Sequence, residues 1–119
     1  MTIQQRLVDD VAVIQIGGRV TLTDGTAAFD NTLRRLIDEG HVKMILDFRD
    51  VSYIDSTALG MVLRAHASVT RRGGALRLLH VGDNVRHILE VTRLVVVLDV
   101  FDSEAQALAS LAAIRPPSV

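Results

Sequence analysis

The 119-residue chain has no cysteine and no tryptophan, only two prolines, and four aromatic residues in all, Phe29, Phe48, Tyr53 and Phe101. Without cysteine there is no disulfide framework, no thiol nucleophile and no zinc knuckle. So few aromatics disfavour a platform on which nucleobases stack. Charge of either sign is also not in excess. The formal net charge of −1 suggests no basic surface able to track phosphates, so no nucleic-acid partner is expected. No run approaches the ~20 apolar residues of a membrane span. The opening M-T-I-Q-Q-R-L-V-D-D lacks the apolar core of a signal peptide. The expectation is a cytoplasmic protein with no membrane partner.

What the chain does have is a core. Hydrophobic residues make up 49% of it, enough for one folded domain. That domain is expected over 1–115, with a loose tail over 116–119 after Pro116-Pro117. Ile3 to Val8 and Val11 to Ile16 read as strands of a hairpin joined at Asp9-Asp10, with Gly17-Gly18 ending the second or making a bulge. Thr23 or Asp24 is placed to cap a helix over about Gly25 to Glu39, striped by Phe29, Leu33, Leu36 and Ile37, and Gly40 suits its left-handed end. Met44 to Phe48 reads as a buried strand, Arg49 to Ile54 as a turn, and Asp55-Ser56-Thr57 as the start of a second helix that Gly73-Gly74 stops. Ala75 to His80 makes a fourth strand, and Asp83 caps a short helix carrying Val85, Ile88 and Leu89. Leu94 to Val100 holds a fifth strand, its valine run typical of strands covered on both faces. Ser103 and Gln106 form a capping box for a last helix with Leu108, Leu111 and Ala112.

The order β-β-α-β-α-β-α-β-α alternates after the hairpin. Such alternation implies right-handed crossovers and a mostly parallel α/β sheet of about five strands with about four helices.

The stretch V-S-Y-I-D-S-T-A-L-G, residues 51–60, resembles the D-S-S/T-G-L-G segment of STAS-domain anti-sigma factor antagonists. Gly18, Gly73-Gly74 and S-E-A-Q-A-L at residues 103–108 extend the resemblance over nearly the whole chain. It implies a STAS fold and a partner-switching phosphoprotein. Ser56 would be the phosphoacceptor, modified by an anti-sigma factor that is also a serine kinase and reset by a serine phosphatase. The unphosphorylated form would bind that kinase and free a sigma factor. The resemblance further implies a partner surface of Asp55, Ser56, Thr57 and Ala58, joined by Thr21, Thr23 and Asp24 of the nearby loop. Two residues depart from the pattern: Ala58 stands where glycine is usual, and Thr21 where many members carry an acid. No enzyme activity, cofactor or metal is expected, and the protein should be a monomer or weak dimer.

Physical chemistry offers two roles for Ser56. Its hydroxyl can cap the helix by accepting a backbone N–H, or it can carry a phosphate, whose charge of about −1.5 to −2 is tolerated at the positive end of a helix dipole. At 100° per residue, Leu59, Val62, Leu63, His66 and Val69 share a side that should be buried. Ala58, Met61, Ala65 and Ser68 run along the opposite flank as an adaptable contact stripe, edged by Arg64 and Arg72. Asp47, Asp50 and Asp55 could form a carboxylate cluster, although they sit on a strand, a turn and a helix start. His41, His66, His80 and His87 lie on different elements without metal-ligand spacing. Two other functions fit an α/β domain of this size: a non-switching scaffold or accessory subunit, and a small-ligand binder.

Overall fold

The backbone of β2 and β3 carries the architecture. The computed structural model describes residues 1–114 of the 119, so the expected tail over 116–119 lies outside the described residues. The elements in order are β1 (Thr2–Val8), β2 (Val11–Val20), α1 (Thr26–Asp38), β3 (Lys43–Ile54), α2 (Ser56–Arg71), β4 (Ala75–Leu79), α3 (Asp83–Val91), a 3-10 turn (Leu94–Val96), β5 (Asp99–Phe101) and α4 (Glu104–Ala112). The five strands lie side by side in chain order. β1 and β2 pair antiparallel and every later pair is parallel, the arrangement expected of helix-containing crossovers.

Alternation along the strands sorts the core into two layers. Ala12, Ile14 and Ile16 of β2, Met44 and Leu46 of β3, and Leu76 and Leu78 of β4 point to one face, where α1, α2 and α3 cover them. Val11, Val13, Ile45, Ala75 and Leu79 point to the other, where Ala107 and Leu111 of α4 meet them. The hairpin turns at Asp9 in a left-handed conformation. Lys43 lies buried at the start of β3 and pairs with Asp10 at 3.0 Å. That ammonium holds the Asp10 carboxyl below its usual range, first by hydrogen bonding.

Several boundaries differ from the sequence reading. Arg49 to Ile54 is not a turn: β3 runs on to Ile54, and β2 runs on with it to Val20. Residues Gly17 to Val20 pair with Asp50 to Ile54 across register shifts on either side of Gly17 and Gly18. The glycine pair therefore makes a bulge, Gly18 taking φ +88°, while Val51 and Ile54 stay buried. Past the bulge the two strands pair only with each other, beyond the reach of β1 and β4.

The valine run is a second correction. Arg93 adopts a left-handed backbone, and the bonds Val96 N–H to Arg93 O and Val97 N–H to Leu94 O wind the chain into a 3-10 turn. Val95, Val96 and Val97 are exposed, while Leu98 is buried in the core and Leu94 packs against it. The strand is limited to Asp99–Phe101, which pairs with Arg77 to Leu79 of β4. At the helix starts, Gly25 rather than Thr23 or Asp24 precedes α1, and Gly82 rather than Asp83 precedes α3, neither with a side-chain cap. Gly40 is left-handed as expected, and Ser103 accepts the Gln106 N–H at 3.3 Å.

One glycine is fixed by a close approach. At Gly74 a Cβ would run into the carbonyl of Val42, the same carbonyl that accepts the Ala75 N–H at 3.0 Å. Gly74→Ala must push β4 away from the α1–β3 connection. It is expected to cost about 1–3 kcal/mol, as overpacking does, measured by urea unfolding. Gly82→Ala, where a Cβ meets nothing, is the control.

Candidate functional site

The extension of β2 and β3 sets two segments side by side at the carboxyl ends of the strands: the loop 21–25 and the start of α2. The Asp55 N–H donates to Val20 O at 3.3 Å, closing the pair. The loop is a tight turn in which Thr21 N–H donates to Asp24 O at 2.9 Å and Asp24 N–H to Thr21 O at 3.0 Å.

Asp55 joins the two. It has the extended backbone of a helix N-cap. One carboxylate oxygen, Oδ1, accepts the Ala58 N–H at 3.0 Å, and the other, Oδ2, accepts the Leu22 N–H at 2.8 Å. Both bonds favour the ionised form. The Ala58 N–H, followed by that of Leu22, holds the Asp55 carboxyl below its ordinary value of 3.8.

Ser56 is thereby the first helical residue and not the cap. Its side chain is exposed, and among the described residues its hydroxyl has no hydrogen-bond partner. The two roles open to it in the sequence are separated: Asp55 caps, and the hydroxyl stands free at the positive end of a 16-residue helix. Thr57 is partly buried beside it.

Three of the expected contact residues are placed differently. Ala58 is 1% exposed and Ala65 5%, so neither lies on a solvent-facing stripe. α1 packs against that flank, and the small side chains let the two helices approach. Met61 and Ser68 are partly buried there, while Leu63 and His66, expected to be buried, are only partly so. Thr21 is 8% exposed, its side chain turned in beneath the turn that its backbone closes. Thr23 and Asp24 are exposed as expected, Asp24 lying 3.8 Å from the N-terminal amine.

The loop from Arg19 to Asp24 was expected at the contact surface, but Leu22 within it was not singled out. Leu22 is 69% exposed at the tip of the turn, and its backbone is held by Asp55. The available signal was an apolar residue inside the polar turn T-L-T-D-G. Tyr53 stands at the same end of the sheet, with the Arg19 guanidinium 4.9 Å from its ring centre.

The remaining candidates do not converge. The Asp47 carboxylate accepts the Arg49 N–H at 3.0 Å and Asp50 accepts from Gln15 Nε2 at 3.0 Å, while Asp55 caps α2. His80 Nε2 lies 2.8 Å from the Arg49 guanidinium, and His41 lies 3.9 Å from Glu39. No group of three or more metal-ligating side chains forms among the described residues, and none of their helices is long and apolar enough to cross a membrane.

A carboxyl with a lowered folded pKa stabilises fully above its unfolded value, and that contribution fades as pH falls through the folded one. Asp55→Asn should therefore be less stable than wild type near neutral pH, with the gap closing as acid takes the chain below the ordinary carboxylate range. Acid titration of urea midpoints measures this. Hydrogen exchange should show the Leu22 and Ala58 amides losing protection in Asp55→Ala but not in Ser56→Ala.

Comparison with known proteins bears on the family and the fold. The family model described as the STAS domain matches residues 2–107. A Thermotoga neapolitana protein named as an anti-sigma factor antagonist homolog is 24% identical over 103 residues, which cover 87% of this chain and 91% of that one. The crystal structure of the Thermotoga maritima protein of the same description superposes with a TM-score of 0.87 at 22% identity, over 92% of this chain and 94% of that one. The unphosphorylated anti-sigma factor antagonist SpoIIAA superposes with a TM-score of 0.75 at 20% identity, over 95% and 100%. SpoIIAA of Bacillus in the phosphorylated form gives 0.73 at 20%, over 92% and 98%. The sheet order, the helices and the family match lead to one assignment: this chain belongs to the STAS-domain family.

Proposed function

We propose that this STAS domain is an anti-sigma factor antagonist that works by partner switching. In its unphosphorylated form it docks an anti-sigma factor that is also a serine kinase, and so releases a sigma factor. Phosphorylation of Ser56 ends the docking, and a phosphatase restores it. The chain is a phosphoacceptor, and the ATP belongs to its partner.

The observation that carries this reading is the free hydroxyl of Ser56 beside a cap that does not use it. Modifying a capping hydroxyl would remove a bond from the helix start; modifying this one removes none. The new charge sits at the helix N-terminus, where a negative group is favoured. In the unbound protein it remains in water, so the fold is not taxed by desolvation.

Docking reverses that balance. A partner closing over Ser56 would have to strip water from a phosphate of charge about −1.5 to −2, next to the Asp55 carboxylate. A penalty of about 2.8 kcal/mol weakens binding a hundredfold. Exposed Leu22, with Thr23 and Asp24 on the same turn, supplies an apolar contact held in fixed relation to the serine by Asp55. Together they make a surface with a hydrophobic anchor and a chargeable centre.

Two substitutions test the switch. Ser56→Ala should unfold within about 0.5 kcal/mol of wild type, as exposed substitutions do. It should bind the kinase and remain unmodified when incubated with kinase and ATP, as read by intact mass. Ser56→Asp should fold equally well and bind the kinase about a hundredfold more weakly in calorimetry. A folded Ser56→Asp protein with wild-type affinity would end the proposal, as would wild-type protein whose mass does not change.

A further inference from the structure

The packing of α1 on α2 leaves an open groove of about 450 Å³ between them. Its floor is apolar, made by Leu33, Ile37 and Ala65, with Met61 at the end nearer the start of α2. Its charges do not balance. Asp30 is neutralised by Arg34 at 2.8 Å, and Asp38 lies 4.0 Å from Arg72. Arg64 and Arg71 also line the groove, both exposed, and among the described residues neither guanidinium has a carboxylate or hydrogen-bond partner.

These two arginines are seven residues apart on α2, which puts them on one side of the helix about 10.5 Å apart along its axis. Ala67 and Ser68, also in the lining, are small enough for a second backbone to come close. Ser56 and Gly60 precede Arg64 at intervals of four, so the same side of α2 leads back to the free hydroxyl. The Arg64 guanidinium in fact leans that way, its Nη1 being 3.7 Å from where a Cβ on Gly60 would sit.

We propose that the α1–α2 groove receives an acidic amphipathic helix of the anti-sigma factor. Carboxylates one heptad apart on that helix pair with Arg64 and Arg71, and apolar side chains between them fill the floor against Leu33, Ile37 and Met61. This rests on the reading that the chain docks such a factor, and it adds the chemistry of the segment and a second contact beyond Ser56. Charge complementarity selects the occupant. The floor alone would accept any apolar helix, whereas two unpaired guanidiniums at heptad spacing favour acids at the same spacing and reject lysines.

The test uses the full chain and a fluorescein-labelled helical peptide of about 18 residues, with glutamates seven apart and leucines between, followed by fluorescence anisotropy. A second peptide carries lysines in place of the glutamates. The glutamate peptide should bind wild type and the Ser56→Asp variant alike. Binding should weaken by about tenfold or more in R64E/R71E, and that variant should take up the lysine peptide instead, which also shows that it is folded. Failure of the glutamate peptide to bind wild type, or binding indifferent to R64E/R71E, overturns the proposal. So does Arg64- and Arg71-dependent binding of phosphatidylglycerol vesicles in place of the peptide, or self-association in sedimentation that the double substitution abolishes. Ser56→Asp still losing the kinase while no peptide binds would remove the groove and leave the switch. A bound peptide with a kinase indifferent to Ser56→Asp would do the reverse.

Discussion

A single carboxylate fastens the functional end of this molecule. Asp55 presents one oxygen to the Ala58 N–H and the other to the Leu22 N–H, so the first turn of α2 and the turn after β2 form one rigid unit. Both segments reach that position because β2 and β3 bulge and stay paired beyond the ends of the β1 and β4 pairings. The location is the one expected of an open α/β sheet, where sites form beyond the carboxyl ends of the strands. Satisfying the helix start from position 55 is what releases position 56. A residue asked both to cap a helix and to be modified would couple the stability of the protein to its signalling state. Here capping falls on Asp55 alone, and under the proposed switch the modification would fall on its neighbour.

Much of this was legible in the residues themselves. The α/β alternation, the hairpin, Gly40 at a helix end and Ser103 at a helix start each depend on local chemistry, and each is where the sequence places it. The free serine was legible only as one of two possibilities. Ser56 and Asp55 are both good capping residues, and which of them caps depends on where β3 stops. That boundary was hidden because Gly17-Gly18 and Arg49-Asp50 look like chain reversals, whereas paired strands can absorb both as a bulge.

Other differences arose from tertiary neighbours. The run Leu94 to Val97 has strong β propensity, yet it winds into a 3-10 turn that follows a left-handed Arg93, and β5 pairs only from Asp99 onward. Propensity measures fit to a pleated surface, and the local turn places these valines outside the sheet. Ala58 and Ala65 were assigned to solvent from a helical projection that allowed for the sheet alone. α2 has a second neighbour in α1, and its buried arc is correspondingly wider. That same neighbour creates the groove in which Arg64 and Arg71 stand without partners, a feature no single-helix projection contains.

The two faces of the sheet are closed at different points along the chain. Three helices interleaved with the strands cover one face as the sheet grows outward from the hairpin, each new strand adding beside the last. The other face is covered by α4, the final described element. During synthesis, then, Val11, Val13, Ile45 and Leu79 lack the cover of Ala107 and Leu111 until α4 has emerged. Nascent chains at that stage are the form most exposed to aggregation and most suited to a chaperone, and docking of α4 ends the vulnerability.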